Sequence, residues 1–125
     1  MKKHRILIVD DEVGVTRLLK LNLEATQRFE VKVVNDPREA VEIAVGFRPA
    51  LILLDIMMPG LDGGEVAEQM QARPSLNDVP IVFLTAVARK DEVKERGGVI
   101  GGRPFIAKPV DMPELLARIE EHLAK

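Results

Sequence analysis

Several apolar runs in this chain end on residues that can do chemistry. Ile6-Leu7-Ile8-Val9 runs into Asp10-Asp11, and Leu51-Ile52-Leu53-Leu54 runs into Asp55. Ile81-Val82-Phe83-Leu84 ends on Thr85, and Phe105-Ile106-Ala107 ends on Lys108-Pro109. If these runs are parallel strands of one sheet, their C-terminal ends share the edge where open α/β sheets bind ligands. Carboxylates gathered there repel one another unless a cation lies among them. A hard divalent cation with oxygen ligands meets that need, and Mg²⁺ suits a site that supplies few carboxylates plus water and phosphate. A hydroxyl and a compact ammonium add hydrogen-bond donors for phosphoryl oxygens. Together these groups describe a metal-assisted phosphoryl site.

Each residue also has a plainer reading. Asp10 or Asp11 could simply cap the first helix, Thr85 is at home in a strand, and Lys108 is by default a solvated lysine. Capping accounts for one aspartate, but not for two with Asp55 at a neighbouring strand end. Asp55 alone also fits the Mg²⁺-binding strand of P-loop NTPases, which requires a G-x-x-x-x-G-K-[ST] loop. The stretch from Gly97 to Arg103 is glycine-rich but lacks the Lys-Ser/Thr pair, so that reading is rejected.

The elements that must position these residues alternate between two periods. From Val13 onward, Val15, Leu18, Leu19 and Leu23 recur at helical spacing. Val31 to Val34 is a short strand. Asp36-Pro37-Arg38-Glu39 places Asp at an N-cap, Pro at the first helical position and Glu at the third. Ala40, Val41, Ile43 and Ala44 give the following helix its apolar face, and Gly46 is read as its end. Pro59 to Gly63 is a turn-rich loop, followed by a helix from about Gly64 to Arg73 that Pro74 stops. Asp111-Met112-Pro113-Glu114 repeats the capping pattern, and Leu115, Leu116, Ile119 and Leu123 line the last helix. Strand and helix alternate five times, which predicts a doubly wound, flavodoxin-like fold. Its five-stranded parallel sheet has the order 2-1-3-4-5 and helices on both faces. The fourth helical segment, Ala88 to Arg96, is nearly all charged, with Val93 its one large apolar residue. A short or irregular helix and then a glycine loop are expected there.

Composition narrows the class further. A chain of 125 residues with net charge −2 and 46% hydrophobic residues is one ordinary globular domain, read as residues 1–125. With no cysteine, disulfides and thiolate chemistry are excluded. The apolar runs fall far short of the ~20 residues a membrane helix needs. Lys2-Lys3-His4-Arg5 precedes only a short apolar stretch ending in two aspartates, which is not a signal peptide. A cytoplasmic location is therefore the expectation. Nothing in the charge distribution suggests nucleic-acid binding.

The motifs Val9-Asp10-Asp11-Glu12, Asp55 through Gly63, Thr85-Ala86 and Lys108-Pro109 carry a resemblance over the whole chain. It resembles the receiver domains of bacterial two-component response regulators, of the chemotaxis-receiver kind and apparently stand-alone. The resemblance implies that Asp55 is the phospho-acceptor for a histidine-borne phosphoryl group from a sensor kinase or phosphotransfer protein. It implies Mg²⁺ held by Asp11, Asp55 and the Met57 carbonyl, with Asp10 acting largely through water. Lys108 would hold a phosphoryl oxygen, and Thr85 would move to bond another. Ala86 is the small residue beside it, Phe105 the switch aromatic, and Lys108-Pro109 a cis bond. The implied protein is a signalling phospho-acceptor, not an enzyme acting on other substrates. Its output is an unidentified protein target or a phosphorylation-dependent dimer.

Some positions depart from the family pattern. Phe105 has no hydroxyl and is expected to favour burial. Gly64 stands where relatives often carry a large apolar residue, so the third helix could start loosely. The apolar Met57 and Val87 cannot hold an attacking water, which predicts slow self-dephosphorylation. Two rival readings remain beside the receiver. A phosphorylation-independent interaction module with the same fold is favoured only by the unusual Ala88 to Arg103 stretch. A haloacid-dehalogenase-like hydrolase would need a second Asp two residues after its nucleophile, where this chain has Met57.

Overall fold

The computed structural model describes residues 3–58, 61–86, 99–100 and 103–124, with only the backbone of 61, 99, 100 and 103. The expected helix over Ala88 to Arg96 lies outside the described residues. Strand β1 (His4–Val9) leads into α1 (Val13–Ala25), β2 (Phe29–Val34), a 3-10 turn (Pro37–Glu39) and α2 (Ala40–Phe47). Next come β3 (Leu51–Asp55), a small hairpin of β4 (Met57–Met58) and β5 (Leu61–Asp62), α3 (Gly63–Gln71) and β6 (Ile81–Thr85). The chain closes with β7 (Val99–Ile100), β8 (Arg103–Ala107) and α4 (Met112–Leu123).

The main sheet runs β2-β1-β3-β6-β8-β7. Its first five members are parallel, in the doubly wound order expected from the sequence. The sixth, β7, pairs antiparallel with β8 through Val99 opposite Pro104 and Ile100 opposite Arg103. The expected glycine loop thus contains a two-residue edge strand. A β-branched pair between glycines was too short a signal to separate from loop.

Alternation along the strands divides the core between the two sheet faces. Leu7, Val9, Ile52, Leu54, Phe83 and Phe105 face α2 and α3, which contribute Ala40, Ala44, Val66, Ala67 and Met70. Ile6, Ile8, Leu51, Leu53, Val82, Leu84 and Ile106 face α1 and α4, which contribute Leu19, Leu23, Leu115 and Ile119. Each such large side chain, fully buried, contributes about 1.5–3 kcal/mol. The near-continuous apolar strands are what a parallel sheet covered on both faces requires.

Helix starts follow their caps. Asp36 accepts from Arg38 N–H at 3.0 Å, and Asp111 accepts from Glu114 N–H at 3.3 Å. Three expectations shift. Leu18 is 59% exposed, because Thr16, Leu19 and Leu23 hold the inward face of α1. Gly46 does not end α2, which runs to Phe47 and closes on Arg48 in the left-handed conformation, φ 56°. Nor does α3 start loosely, because Asp62 caps it by accepting from Gly64 N–H at 2.7 Å. Phe105 is fully buried, as its lack of a hydroxyl led one to expect.

Candidate functional site

The C-terminal ends of β1, β3, β6 and β8 meet at one edge. Backbone bonds set their spacing: Asp10 N–H donates to Val34 O (3.1 Å), Ile56 N–H to Leu84 O (3.1 Å), and Lys108 N–H to Thr85 O (2.8 Å). The side chains that follow β1 and end β3 therefore converge. Carboxylate oxygens of Asp10, Asp11 and Asp55 all lie within 4.8 Å of one another. Asp10, Asp55 and Thr85 are buried, and Asp11 is half-buried.

Lys108 enters from the end of β8. Its Nζ lies 2.7 Å from Asp10 Oδ2 and 3.5 Å from Asp55 Oδ2. The Lys108-Pro109 bond is cis. Asp55 Oδ1 accepts from Met57 N–H at 3.2 Å, so each of its oxygens faces a donor. The Met57 side chain is 62% exposed, while Val87 lies outside the described residues.

Capping does not explain the paired aspartates. The N-cap of α1 is Glu12, whose side chain makes no capping bond. Asp10 instead accepts from Glu12 N–H at 2.9 Å through Oδ1, leaving Oδ2 toward Lys108.

Electrostatics favour a cation here. Burial pushes the Asp55 carboxyl up to about 6, and the negative charge of Asp10 adds to the rise. The Lys108 ammonium and the Met57 N–H offset only part of it. Burial works against the charge on Lys108, but Asp10, Asp55 and Glu12 overcome it and hold its pKa above the ordinary lysine value. One ammonium thus faces three carboxylates. The oxygen-only donor set, the close carboxylates and the raised Asp55 all fit a hard divalent cation.

Two contributors were not assigned from the sequence. Glu12 reaches Lys108 Nζ at 3.4 Å through Oε1. Asn35, after β2, donates through Nδ2 to Asp10 O (2.8 Å) and Thr16 Oγ1 (3.0 Å). Glu12 stood inside the first motif without a role, and nothing local marked Asn35. Replacing Asn35 with Ala removes a part-buried donor shared by two acceptors, and about 1–2 kcal/mol of stability should be lost. A urea midpoint that does not move would remove Asn35 from the site's support.

A doubly wound sheet with clustered carboxylates and a lysine at its C-terminal edge defines an acidic, cation-fitted centre at a topological switch point. The chain belongs to the response regulator receiver domain family, which matches residues 6–120. It is therefore a receiver domain of two-component systems, a family of signalling phospho-acceptors served by histidine kinases. It is 38% identical over 122 residues to the phosphate regulon transcriptional regulatory protein PhoB of Rhizobium meliloti, covering 97% of this chain and 52% of that protein. With the response regulator MprA of Mycobacterium leprae it shares 41% identity, covering 97% of this chain and 51% of that protein. The chain thus spans about half the length of these curated relatives.

Among solved structures, the Vibrio cholerae chemotaxis protein CheY4 superposes with a TM-score of 0.81 at 25% identity, covering 96% of this chain and 98% of that one. A response regulator from Desulfuromonas acetoxidans gives a TM-score of 0.78 at 27% identity, covering 97% of each chain. Among the described residues, no helix is long and apolar enough to cross a membrane.

Proposed function

We propose that residues 1–125 form one cytoplasmic phosphorelay receiver in which Asp55 accepts a phosphoryl group from a histidine of a sensor kinase or phosphotransfer protein. The observation that carries this reading is the buried Asp55 carboxylate, flanked by Asp10 and Asp11, with Lys108 Nζ 3.5 Å from its Oδ2. In the reaction an Asp55 oxygen forms a bond to phosphorus while the P–N bond to imidazole breaks. The electron pair stays on the departing nitrogen.

Asp11, Asp55 and the Met57 carbonyl would hold Mg²⁺, with Asp10 supporting it largely through water. When bound, that ion supplies positive charge opposite the phosphoryl oxygens. Lys108 would hold one phosphoryl oxygen with its ammonium, and the Thr85 hydroxyl would move to bond another. Positioning and charge do most of the work in such a transfer. The product carries about −1.5 to −2 charge where the free carboxylate carried one. New acceptors beside Thr85 then bias a two-state partner-binding surface through the buried switch aromatic Phe105, which is how the signal leaves the site. The output is a protein contact, with phosphorylation-dependent self-association as one form.

Intact mass after incubation with a small phosphodonor and Mg²⁺ tests this reading. Wild type should gain one phosphate, and the gain should vanish with a chelator and in Asp55→Asn. No adduct from any donor, a purified kinase included, would return the chain to a phosphorylation-independent interaction module.

A further inference from the structure

Glu12 has no part in the transfer described above, yet its carboxylate is in the site. Its Oε1 lies 3.4 Å from Lys108 Nζ while its side chain is 57% exposed. The other two carboxylates around that ammonium, Asp10 and Asp55, are buried. Among the described residues, Glu12 is thus the exposed carboxylate in contact with Lys108. Its backbone is anchored, with N–H donating to Asp10 Oδ1 at 2.9 Å and C=O accepting from Thr16 N–H at 3.1 Å. A phosphoryl group seated against Asp55 and Lys108 lies beside this negative charge.

We propose that Glu12 is a specificity-determining residue that selects among phosphodonors by charge, disfavouring free, doubly anionic donors. This rests on the reading of Asp55 as phospho-acceptor. Two small donors isolate the effect. With acetyl phosphate, an Asp55 oxygen bonds to phosphorus, the P–O bond to the acyl group breaks, and acetate leaves with the electron pair. With phosphoramidate, the P–N bond breaks and neutral ammonia leaves, its nitrogen keeping the pair. The first donor arrives doubly negative and sheds an anion. The second arrives singly negative, because its own ammonium cancels one charge.

A carboxylate beside Lys108 opposes both the approach of the first donor and the negative charge that builds on its leaving oxygen, and it opposes the second donor much less. A phosphohistidine has a neutral leaving group and is brought by protein docking, so it passes the same gate. Competition between Glu12 and the phosphoryl group for Lys108 affects both small donors alike and cancels from their ratio. One unit charge about 8 Å away in a largely aqueous setting changes a rate constant about three- to fivefold.

The test measures initial rates of Asp55 phosphorylation by intact mass, with Mg²⁺ in excess and donor concentration varied. Wild type, Glu12→Gln and Glu12→Asp are compared with acetyl phosphate and with phosphoramidate. In Glu12→Gln, the acetyl phosphate to phosphoramidate ratio of second-order rate constants should rise about three- to fivefold. Most of that change should come from a lower half-saturating concentration of acetyl phosphate, and added salt should shrink it. Glu12→Asp keeps the charge and should keep the wild-type ratio. An unchanged ratio in Glu12→Gln, or an equal rise in Glu12→Asp, overturns the gate while leaving Asp55 as the acceptor. Wild type that takes phosphate from neither small donor also overturns the gate, and phosphorylation by a kinase then decides separately whether Asp55 is the acceptor.

Discussion

Asparagine in place of Asp55 is expected to make the metal-free protein more stable at neutral pH. Burial and Asp10 raise the folded pKa of Asp55 from an ordinary 3.8 to about 6. Between those values the folded state holds a proton that the unfolded state has released. A raised carboxylate pKa therefore contributes stability that is fully present below about pH 4 and is lost as pH climbs through about 6. The loss by pH 7.5 amounts to about 3 kcal/mol, at 1.36 kcal/mol per unit.

Asparagine carries no charge, so the variant should gain on wild type across that window and hold the difference above it. Excess Mg²⁺ should reverse the ranking, because it binds the ionised wild-type site and stabilises by mass action. Urea unfolding of both proteins from pH 4.5 to 8, with chelator and then with Mg²⁺, reads both effects. Parallel pH profiles without metal would locate the strain in some group other than Asp55.

Alanine at Gly63 should be the most damaging small change near the site. A Cβ there would lie 2.3 Å from Asp55 O and 2.7 Å from Ile56 Cα, both backbone atoms of the segment that carries the acceptor. Gly63 N–H also donates to Ile56 O at 2.9 Å, so the two segments are tied and cannot simply part. Relief requires moving the end of β3 or the start of α3. Overpacking of this kind costs about 3 kcal/mol, and phosphorylation should slow with it.

The neighbouring glycine supplies the control. A Cβ on Gly64 would meet only the Asp62 side chain, with Oδ1 at 3.2 Å, and alanine is favoured in a helix. Gly64→Ala should lie within about 1 kcal/mol of wild type. If the two variants unfold at the same urea concentration, the close approach at Gly63 is not what limits this loop.

The strands were legible because a sheet covered on both faces needs uninterrupted apolar runs, and each run here stops on a polar residue. Asp36 and Asp111 announced their helices because capping is a local bond. The site itself was legible only at strand ends, where topology turns distant positions into neighbours by rule. Glu12 and Asn35 escaped for the opposite reason. Their contacts, with Lys108 and with Thr16, depend on side-chain reach across loops, which periodicity does not encode. Leu18 was misjudged because four apolar residues compete for a helix face that Thr16, Leu19 and Leu23 fill. Gly46 was misjudged because the left-handed residue that closes α2 is an arginine, for which no local preference exists.

The main-chain bonds between strand ends have a consequence for how such a protein can diversify. Asp10, Asp55, Thr85 and Lys108 keep their spacing through backbone pairing of β1, β2, β3, β6 and β8, with little help from the outer faces of the helices. Leu18 and Leu21 on α1 are exposed to solvent. Residues like these can be rewritten to suit a new partner while the chemical centre keeps its dimensions. Exposed helix positions and the chemical centre thus sit on separate parts of one small chain, and rewriting the outer face of α1 should leave the spacing of the acceptor site unchanged.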